Sequence, residues 1–364
     1  MARHRLWLVL LVLSLAACGR TRPTAAPATA AAAAGAAQAG IIVTVQGDAS
    51  VKRAGWQNYA PALFGASFQK GDLLRLATAA RVVVACADLK LSELPAGVSG
   101  FPCKPAASPD ALVYAGRLAS PTRGEQGVGE YPVVLSPRKT KLLGPRPTFR
   151  WTAVPGAASY RVSLQGTDWS ATVDGATEIA YPSGAPALKP GTAYRLVVEA
   201  GERSSAEEAG AGLGFTLLEA GEVEAVQAAE AKIRALGLPD AGTRLLVANL
   251  YANHSLYAEA IELLEPLANS GEPAVSRLMG DLYLSTGLNG QAEESYLRAL
   301  RLSEGASDVE GQAAAHAVLG NIYESLGSRD EAARHWQAAI ANCEQLGDQA
   351  KTAQLRALLA GTGK

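Results

Sequence analysis

The chain has 364 residues, 48% of them hydrophobic, which is enough for two or three domains with packed cores. Its net charge of -1 hides a split, because residues 18–218 carry 20 basic and 14 acidic side chains, a net charge of +6, whereas residues 219–364 carry 11 and 20, a net charge of -9. Neither half shows the concentrated basic face that nucleic acid requires, so no nucleic-acid partner is predicted. The acidic half would suit a neutral or basic partner, although an ordinary solvated helical surface has the same composition.

The first 17 residues are typical of a secretory signal peptide. A short basic region, Arg3 to Arg5, precedes an apolar run over residues 6–15. About 20 apolar residues are needed to cross a bilayer, so this run is too short for a spanning helix. No later segment is long and apolar enough either, and we expect export of the chain.

The sequence Leu15-Ala16-Ala17-Cys18 resembles the lipobox of bacterial lipoproteins. The resemblance implies cleavage before Cys18, diacylation of its sulfur and acylation of the new amino terminus. Each buried methylene contributes about 0.8 kcal/mol, so two or three acyl chains would hold the protein on a membrane. Gly19 stands where an inner-membrane retention signal carries Asp, which implies the outer membrane facing the periplasm, or the cell surface in a single-membrane bacterium. A cleavage site that contains a Cys by coincidence is the alternative.

Residues 18–40 are predicted to form a flexible tether that begins at the acylated Cys18. They are almost entirely Ala, Pro, Thr and Gly, and such a composition buries too little surface to offset chain entropy. A poly-Ala helix is the alternative, but Pro23, Pro27 and Gly35 interrupt it.

From residue 41 the hydrophobic period becomes two, which predicts short strands over 41–45, 49–52, 72–76, 80–85 and 89–91. The succession of a Gly47-Asp48 turn, an aromatic segment, Lys70-Gly71-Asp72-Leu73-Leu74 and a Val-rich strand resembles the FecR-type β domain over residues 41–104. Cys86-Ala87-Asp88 departs from the Asp-Gly hairpin usual there. Signalling members of that family follow a transmembrane helix that this sequence lacks, so the resemblance implies a fold rather than a regulatory function.

Three cysteines follow Cys18. In an oxidising compartment Cys86 and Cys103 could close a loop worth roughly 3 kcal/mol of stabilisation, and their spacing is wrong for zinc. Cys343 lies in an apolar helical pattern, which favours a buried, inert thiol.

Residues 105–132, rich in Pro, Gly and Ala, predict a loop-rich connector, and residues 133–217 predict a second β domain. The segments 147–151, 155–164 and 188–198 resemble strands of the fibronectin type III sandwich. Tyr160, Val162 and Leu164 alternate, as do Tyr194, Leu196 and Val198, which predicts one buried face, with Arg161 and Arg195 in solvent. Trp151 and Tyr194 are predicted core residues rather than ligand platforms.

Beyond Glu219 the period is helical. Three segments superimpose on their small residues: Ala248 with Tyr251 and Ala260, Gly280 with Tyr283 and Ala292, and Gly320 with Tyr323 and Ala332. The same alignment pairs Leu264 and Leu267 with Tyr296 and Ala299 and with Trp336 and Ala339. The pattern is similar to the tetratricopeptide repeat (TPR), in which small residues let paired helices approach and an aromatic fills the space between hairpins. The resemblance implies a helical solenoid over residues 219–364.

The copies are unequal, since 32 residues separate Ala248 from Gly280 and 40 separate Gly280 from Gly320, against a family period of 34. The excess is expected in a longer loop over residues 303–312. Amphipathic helices over residues 219–236 and 348–359 are expected to cap the two ends.

In the TPR family, partner peptides lie against the first helix of each hairpin. The matching candidate positions are Asn249, Asn253, Arg277, Asp281, Asn321 and Glu324. Asn249, Asp281 and Asn321 follow the small residue in successive copies, where they could bond a peptide backbone. The paired cations of the carboxylate-binding subgroup are missing, so capture of a C-terminal carboxylate is not predicted. Solvated helix surface is the alternative for each position.

No motif for catalysis, a metal or a cofactor stands out. His254, His316 and His335 lack ligand spacing, and there is neither a P-loop nor a GxSxG elbow. The Gly-rich stretch 124–129 is not a strand-turn-helix element. Carboxylate pairs such as Glu207-Glu208 are predicted to be solvated rather than catalytic.

These patterns predict a multidomain β + α protein, in which two small all-β domains precede an all-α TPR-like helical solenoid. The function hypothesis is a non-enzymatic, membrane-anchored adaptor or assembly scaffold that binds a protein or peptide. Glycan or peptidoglycan binding by the β domains is the alternative, followed by an envelope enzyme.

Overall fold

The computed structural model describes residues 39–104, 130–208 and 212–361. The predicted signal peptide, Cys18, nearly all of the tether and most of the connector lie outside these residues. Strands occupy the described chain from residue 39 to 217, and eight α-helices follow between residues 220 and 361. The prediction of β structure followed by α structure is therefore confirmed.

The first β unit, residues 39–104, contains two four-stranded antiparallel sheets. Its strands are β1 Ala39–Gln46, β2 Ala49–Lys52, β3 Ala60–Pro61, β4 Ser67–Gln69, β5 Leu73–Leu76, β6 Arg81–Cys86, β7 Leu91–Leu94 and β8 Gly97–Gly100. The sheet orders are β4-β1-β6-β7 and β3-β2-β5-β8. Ile42, Val82 and Val84 face the core between the sheets, together with Phe68 and Leu74.

The first sheet is apolar on both faces. Ile41, Val43 and Val83, which alternate with the core residues of β1 and β6, pack against helices from beyond residue 217. Burial on two faces explains why these strands have nearly continuous apolar sequences rather than an alternating pattern.

The second β unit, residues 133–217, is built around an aromatic core. Its strands are β9 Val134–Ser136, β10 Thr140–Leu142, β11 Thr148–Trp151, β12 Ser159–Gln165, β13 Ser170–Asp174, β14 Glu178–Ala180, β15 Arg195–Ala200, β16 Arg203–Ser204 and β17 Phe215–Leu217. They form sheets β14-β11-β9 and β13-β12-β15-β16 and a parallel pair, β10-β17. Trp151 and Tyr194 are 2% and 3% exposed, which confirms that both are core residues.

The helical region, residues 220–361, consists of helices that pack consecutively. They are α1 Ala220–Arg234, α2 Asp240–Asn253, α3 Tyr257–Leu264, α4 Pro273–Thr286, α5 Asn289–Gly305, α6 Val309–Ser325, α7 Arg329–Leu346 and α8 Gln349–Gly361. Short turns join α2 to α3, α4 to α5 and α6 to α7, so each of these pairs is a hairpin. The terminal helices α1 and α8 pack on α2 and α7 through residues such as Ile233 and Leu355.

The prediction of a long loop over residues 303–312 is wrong. Helix α5 continues to Gly305 and α6 begins at Val309, so the additional residues lengthen the helices instead. Ser307 takes a left-handed φ of 53°, and the Asp308 carboxylate accepts from the Gly311 backbone at 2.9 Å. A tight turn with a capped helix start therefore replaces the loop.

Candidate binding surfaces

The aligned small residues lie where the two helices of a hairpin approach each other. A Cβ added to Gly280 would lie 2.6 Å from the Tyr296 ring, and one added to Gly320 would overlap the indole of Trp336. In the first hairpin Ala248 is fully buried and the matching residue of the second helix is Leu264. Gly280 and Gly320 thus leave space for an aromatic ring on the second helix. In the first hairpin the larger Ala248 is paired with Leu264, which is smaller than an aromatic residue.

The aligned polar residues Asn249, Asp281 and Asn321 make hydrogen bonds inside the helical region. Asp281 accepts from the Tyr296 hydroxyl, and the Asn321 amide oxygen accepts from Trp336 Nε1 at 3.2 Å. Leu264 offers no donor in the first hairpin, and Asn249 instead donates to the Leu245 carbonyl at 2.8 Å. These contacts give all three residues a role in joining or bracing helices, so they are weak candidates for peptide binding.

Asp281 lies in a poorly hydrated position. Burial raises the pKa of its carboxyl to about 6, although the Tyr296 hydroxyl and the charge of Arg277 act in the opposite direction. A carboxylate held in this way is costly to expose to a ligand and then rebury, which further favours a structural role.

The other three candidate positions do not form a common groove. Arg277 lies 3.4 Å from the Asp308 carboxylate, beside the N-terminal ends of α4 and α6. Asn253 and Glu324 are exposed at the C-terminal ends of α2 and α6. The structure therefore distributes these three candidates over both ends of the hairpins.

The first β unit lies against the edge of the helical region where each hairpin begins. Arg53 bonds both carboxylate oxygens of Glu310, at 2.9 Å each, and also Asp72 at 2.9 Å. Its neighbours Gln57 and Asn58 donate backbone N–H groups to the Leu346 carbonyl, at 3.1 Å each. This edge is therefore occupied by the chain itself.

Sequence reasoning missed that interface. The one local signal was Asp72, the first residue of the predicted strand 72–76, which is only 4% exposed and accepts from the backbone of Ala54 and Gln69. A buried carboxylate needs partners, and this one orients Arg53 toward Glu310.

The second β unit lies against the opposite edge, where the hairpins turn. The Lys141 backbone donates to the Ser255 carbonyl at 2.8 Å, between α2 and α3. Arg138 donates to the Thr286 carbonyl at 2.8 Å, at the end of α4. The same guanidinium pairs with Glu208, which contradicts the prediction of a solvated Glu207-Glu208 pair, since Glu208 is 4% exposed.

Two of the three described cysteines are bonded to each other. Cys86 and Cys103 form a disulfide with 5.4 Å between their Cα atoms, and Cys343 is buried.

The side chains of His316 and His335 meet between α6 and α7, with 2.9 Å between their Nδ1 atoms. Within residues 39–104, 130–208 and 212–361, no group of three His, Cys, Asp or Glu side chains could hold a metal ion.

None of the described helices has both the length and the apolar character required to cross a bilayer. No family model matches the sequence, and no curated protein matches it either.

Proposed function

We propose that this chain is a non-enzymatic lipoprotein of the bacterial cell envelope, anchored through Cys18, that acts as an adaptor or assembly scaffold through TPR-like helical hairpins. The lipobox-like sequence supports the anchor, and the repeated contact of a glycine with an aromatic ring supports the TPR-like assignment. The first β unit is proposed to be FecR-like and the second fibronectin type III-like.

The observation that carries the binding function is a difference between the hairpin turns. The turns of the first two hairpins bond to the second β unit, whereas, among the described residues, the turn of the third hairpin does not. Ser255 and Thr286, at the turns of the first two hairpins, accept hydrogen bonds from the second β unit. The matching turn of the third hairpin begins at Leu326, which is 38% exposed. In the part of the chain that the structure describes, no β residue bonds to this third turn.

We place the partner protein at this open turn, beside the exposed Glu324. An exposed leucine next to a carboxylate suits a polypeptide that brings an apolar side chain and a basic or amide group. This location replaces the groove of six residues, because most of those residues are engaged elsewhere.

Site-specific photocrosslinking in living cells tests this assignment. A photoreactive residue at Glu324 should give a discrete adduct with an envelope protein, whereas the same residue at the exposed Arg161 of the second β unit should not. Adducts from Arg161 alone would move the binding function to the β units. Labelling with a clickable fatty acid tests the anchor separately, since Cys18→Ala should abolish incorporation.

A further inference from the structure

A cleft of about 730 Å³ lies between the second β unit and the helical region. It is bordered by β10, by the starts of β15 and β17 and by the turn between α2 and α3. Three cationic residues, Lys139, Lys141 and Arg195, line it, and none of the described residues in its lining is acidic. Such a concentration of one charge sign in a concave site favours a ligand of the opposite sign.

The cations are incompletely satisfied by the protein. Lys141 pairs with Glu222 at 2.8 Å, at the margin of the cleft. Among the described residues, no carboxylate lies within ion-pair distance of Lys139 or Arg195. The Nη2 atom of Arg195 is buried and has no hydrogen-bond partner. An unsatisfied donor on a charged group costs free energy, and an anion bound at the more accessible part of the guanidinium would stabilise its charge.

The position of Lys139 is fixed by its surroundings. Its backbone adopts a left-handed φ of 47°, which is uncommon for a residue other than Gly, Asn or Asp. Arg138 is locked next to it by the bidentate pair with Glu208. Burial, and then the charge of Arg138, lower the pKa of Lys139, whereas the charge of Glu208 acts in the opposite direction.

The remaining wall is largely apolar. Tyr194, Leu213 and Phe215 contribute to it, and the Tyr194 hydroxyl accepts from the Lys189 backbone N–H at 2.8 Å. The chemistry therefore combines a cationic side with an apolar side.

We infer that this cleft binds the carboxylate or phosphate group of a small organic anion, with Arg195 and Lys139 as its ligands and the apolar wall beside it. The inference does not depend on the adaptor function, because it uses neither the third hairpin nor the acyl anchor. It also accounts for Arg195, which was predicted to lie in solvent but is half-buried.

Isothermal titration calorimetry with the whole chain, carrying Cys18→Ala, tests the inference. Sodium acetate, sodium benzoate and sodium phosphate are titrated separately at an ionic strength held constant with chloride. Binding of acetate or benzoate alone identifies a carboxylate site, and binding of phosphate alone identifies a phosphate site. Tighter binding of benzoate than of acetate is expected because the benzoate ring would bury apolar surface against the apolar wall.

Arg195→Gln and Lys139→Asn should each weaken binding about tenfold or more, because each removes a charge-assisted hydrogen bond. Asn is chosen at position 139 because it tolerates the left-handed backbone. Arg161→Gln, on the exposed face of β12, is the matched control and should leave affinity unchanged. The inference is overturned if no anion binds, or if Arg195→Gln and Lys139→Asn bind as the wild type does.

Discussion

The guanidinium of Arg138 donates to both carboxylate oxygens of Glu208, at 2.6 and 2.5 Å, and neither side chain is more than 2% exposed. The pair lies where the second β unit meets the end of α4, because Arg138 also donates to the Thr286 carbonyl. A buried pair of this kind contributes little when both partners are present but is costly to break, since one charge then remains buried alone.

Glu208→Gln should therefore lower the free energy of unfolding by about 3–5 kcal/mol, measured by urea denaturation. The double variant Arg138→Met with Glu208→Leu should recover much of that loss because it removes both charges. Arg81→Gln, which breaks the exposed pair with Glu93, is the control and should leave the urea midpoint in place. Equal effects of the buried and exposed variants would contradict this account.

Gly280→Ala should destabilise the helical region by about 1–3 kcal/mol, because the new methyl group would overlap the Tyr296 ring. The same substitution in a Tyr296→Leu background should cost less, since it reproduces the Ala248 and Leu264 pair of the first hairpin. A double-mutant cycle measured by thermal or urea unfolding gives the coupling. Gly305→Ala serves as the control, because a Cβ there meets nothing within 4 Å. Additive effects at 280 and 296 would argue against the steric explanation.

The His316 and His335 pair should make stability depend on pH. Burial, and then the charge of His335, lower the pKa of His316 from 6.5 to about 4. Between those values the unfolded chain binds the proton and the folded chain does not. The free energy of unfolding should therefore fall as pH is lowered from 6.5 to 4, by roughly 1–2 kcal/mol after allowance for solvent screening.

Two buried carboxyl groups make the free energy of unfolding change with pH in the opposite direction. Burial raises the pKa of Asp281 to about 6 and that of Glu259 to about 7, so their contribution is present at low pH and lost as pH rises through those values. The histidine effect is therefore measured as the difference between the wild type and His316→Asn across pH 4 to 7. If the free energy of unfolding of the two proteins changes with pH in parallel, the histidine pair makes no such contribution.

Reduction of the disulfide between Cys86 and Cys103 should lower the free energy of unfolding by roughly 3 kcal/mol, the value expected for a closed loop of this length. The bond ties the end of β6, in one sheet, to the segment after β8, in the other sheet. Urea denaturation with and without reductant measures the loss. The Cys86→Ala, Cys103→Ala double variant should be insensitive to reductant, whereas a residual effect there would point to another site.

Cys343 is expected to react slowly in the native protein. Burial raises its thiol pKa to about 11, so very little thiolate is present at neutral pH. Timed iodoacetamide labelling followed by mass spectrometry should modify Cys343 only under denaturing conditions. Rapid labelling of the folded chain would show that α7 opens locally.

The hairpin pairing could be predicted because it depends on residue size at a fixed spacing. Gly280 and Gly320 matched aromatic residues of the second helix, and the structure places each glycine against its ring. The function of the neighbouring polar residues could not be read from spacing alone. Buried Tyr and Trp side chains need acceptors, and this requirement could have identified Asp281 and Asn321 as partners of Tyr296 and Trp336.

Contacts between the β units and the helices had no comparable signal. The apolar runs of β1 and β6 indicated burial, but nothing in their period identifies the element that covers Val43 or Val83. Glu208 likewise stands in a polar stretch, and its burial depends on Arg138, which is 70 residues away in sequence. Pairings over such separations are set by tertiary structure rather than by local pattern.

The two-sided burial of the first sheet has a practical consequence for any attempt to divide the protein. Cutting the chain near residue 218 would uncover Ile41, Val43 and Val83 on one fragment and their apolar counterparts, such as Leu246 and Ile233, on the other. Each fragment would then expose an apolar patch, prone to association, that is buried in the intact molecule. Capture experiments with separated halves would recover each half's former neighbour first, so the physiological partner is best sought with the undivided chain.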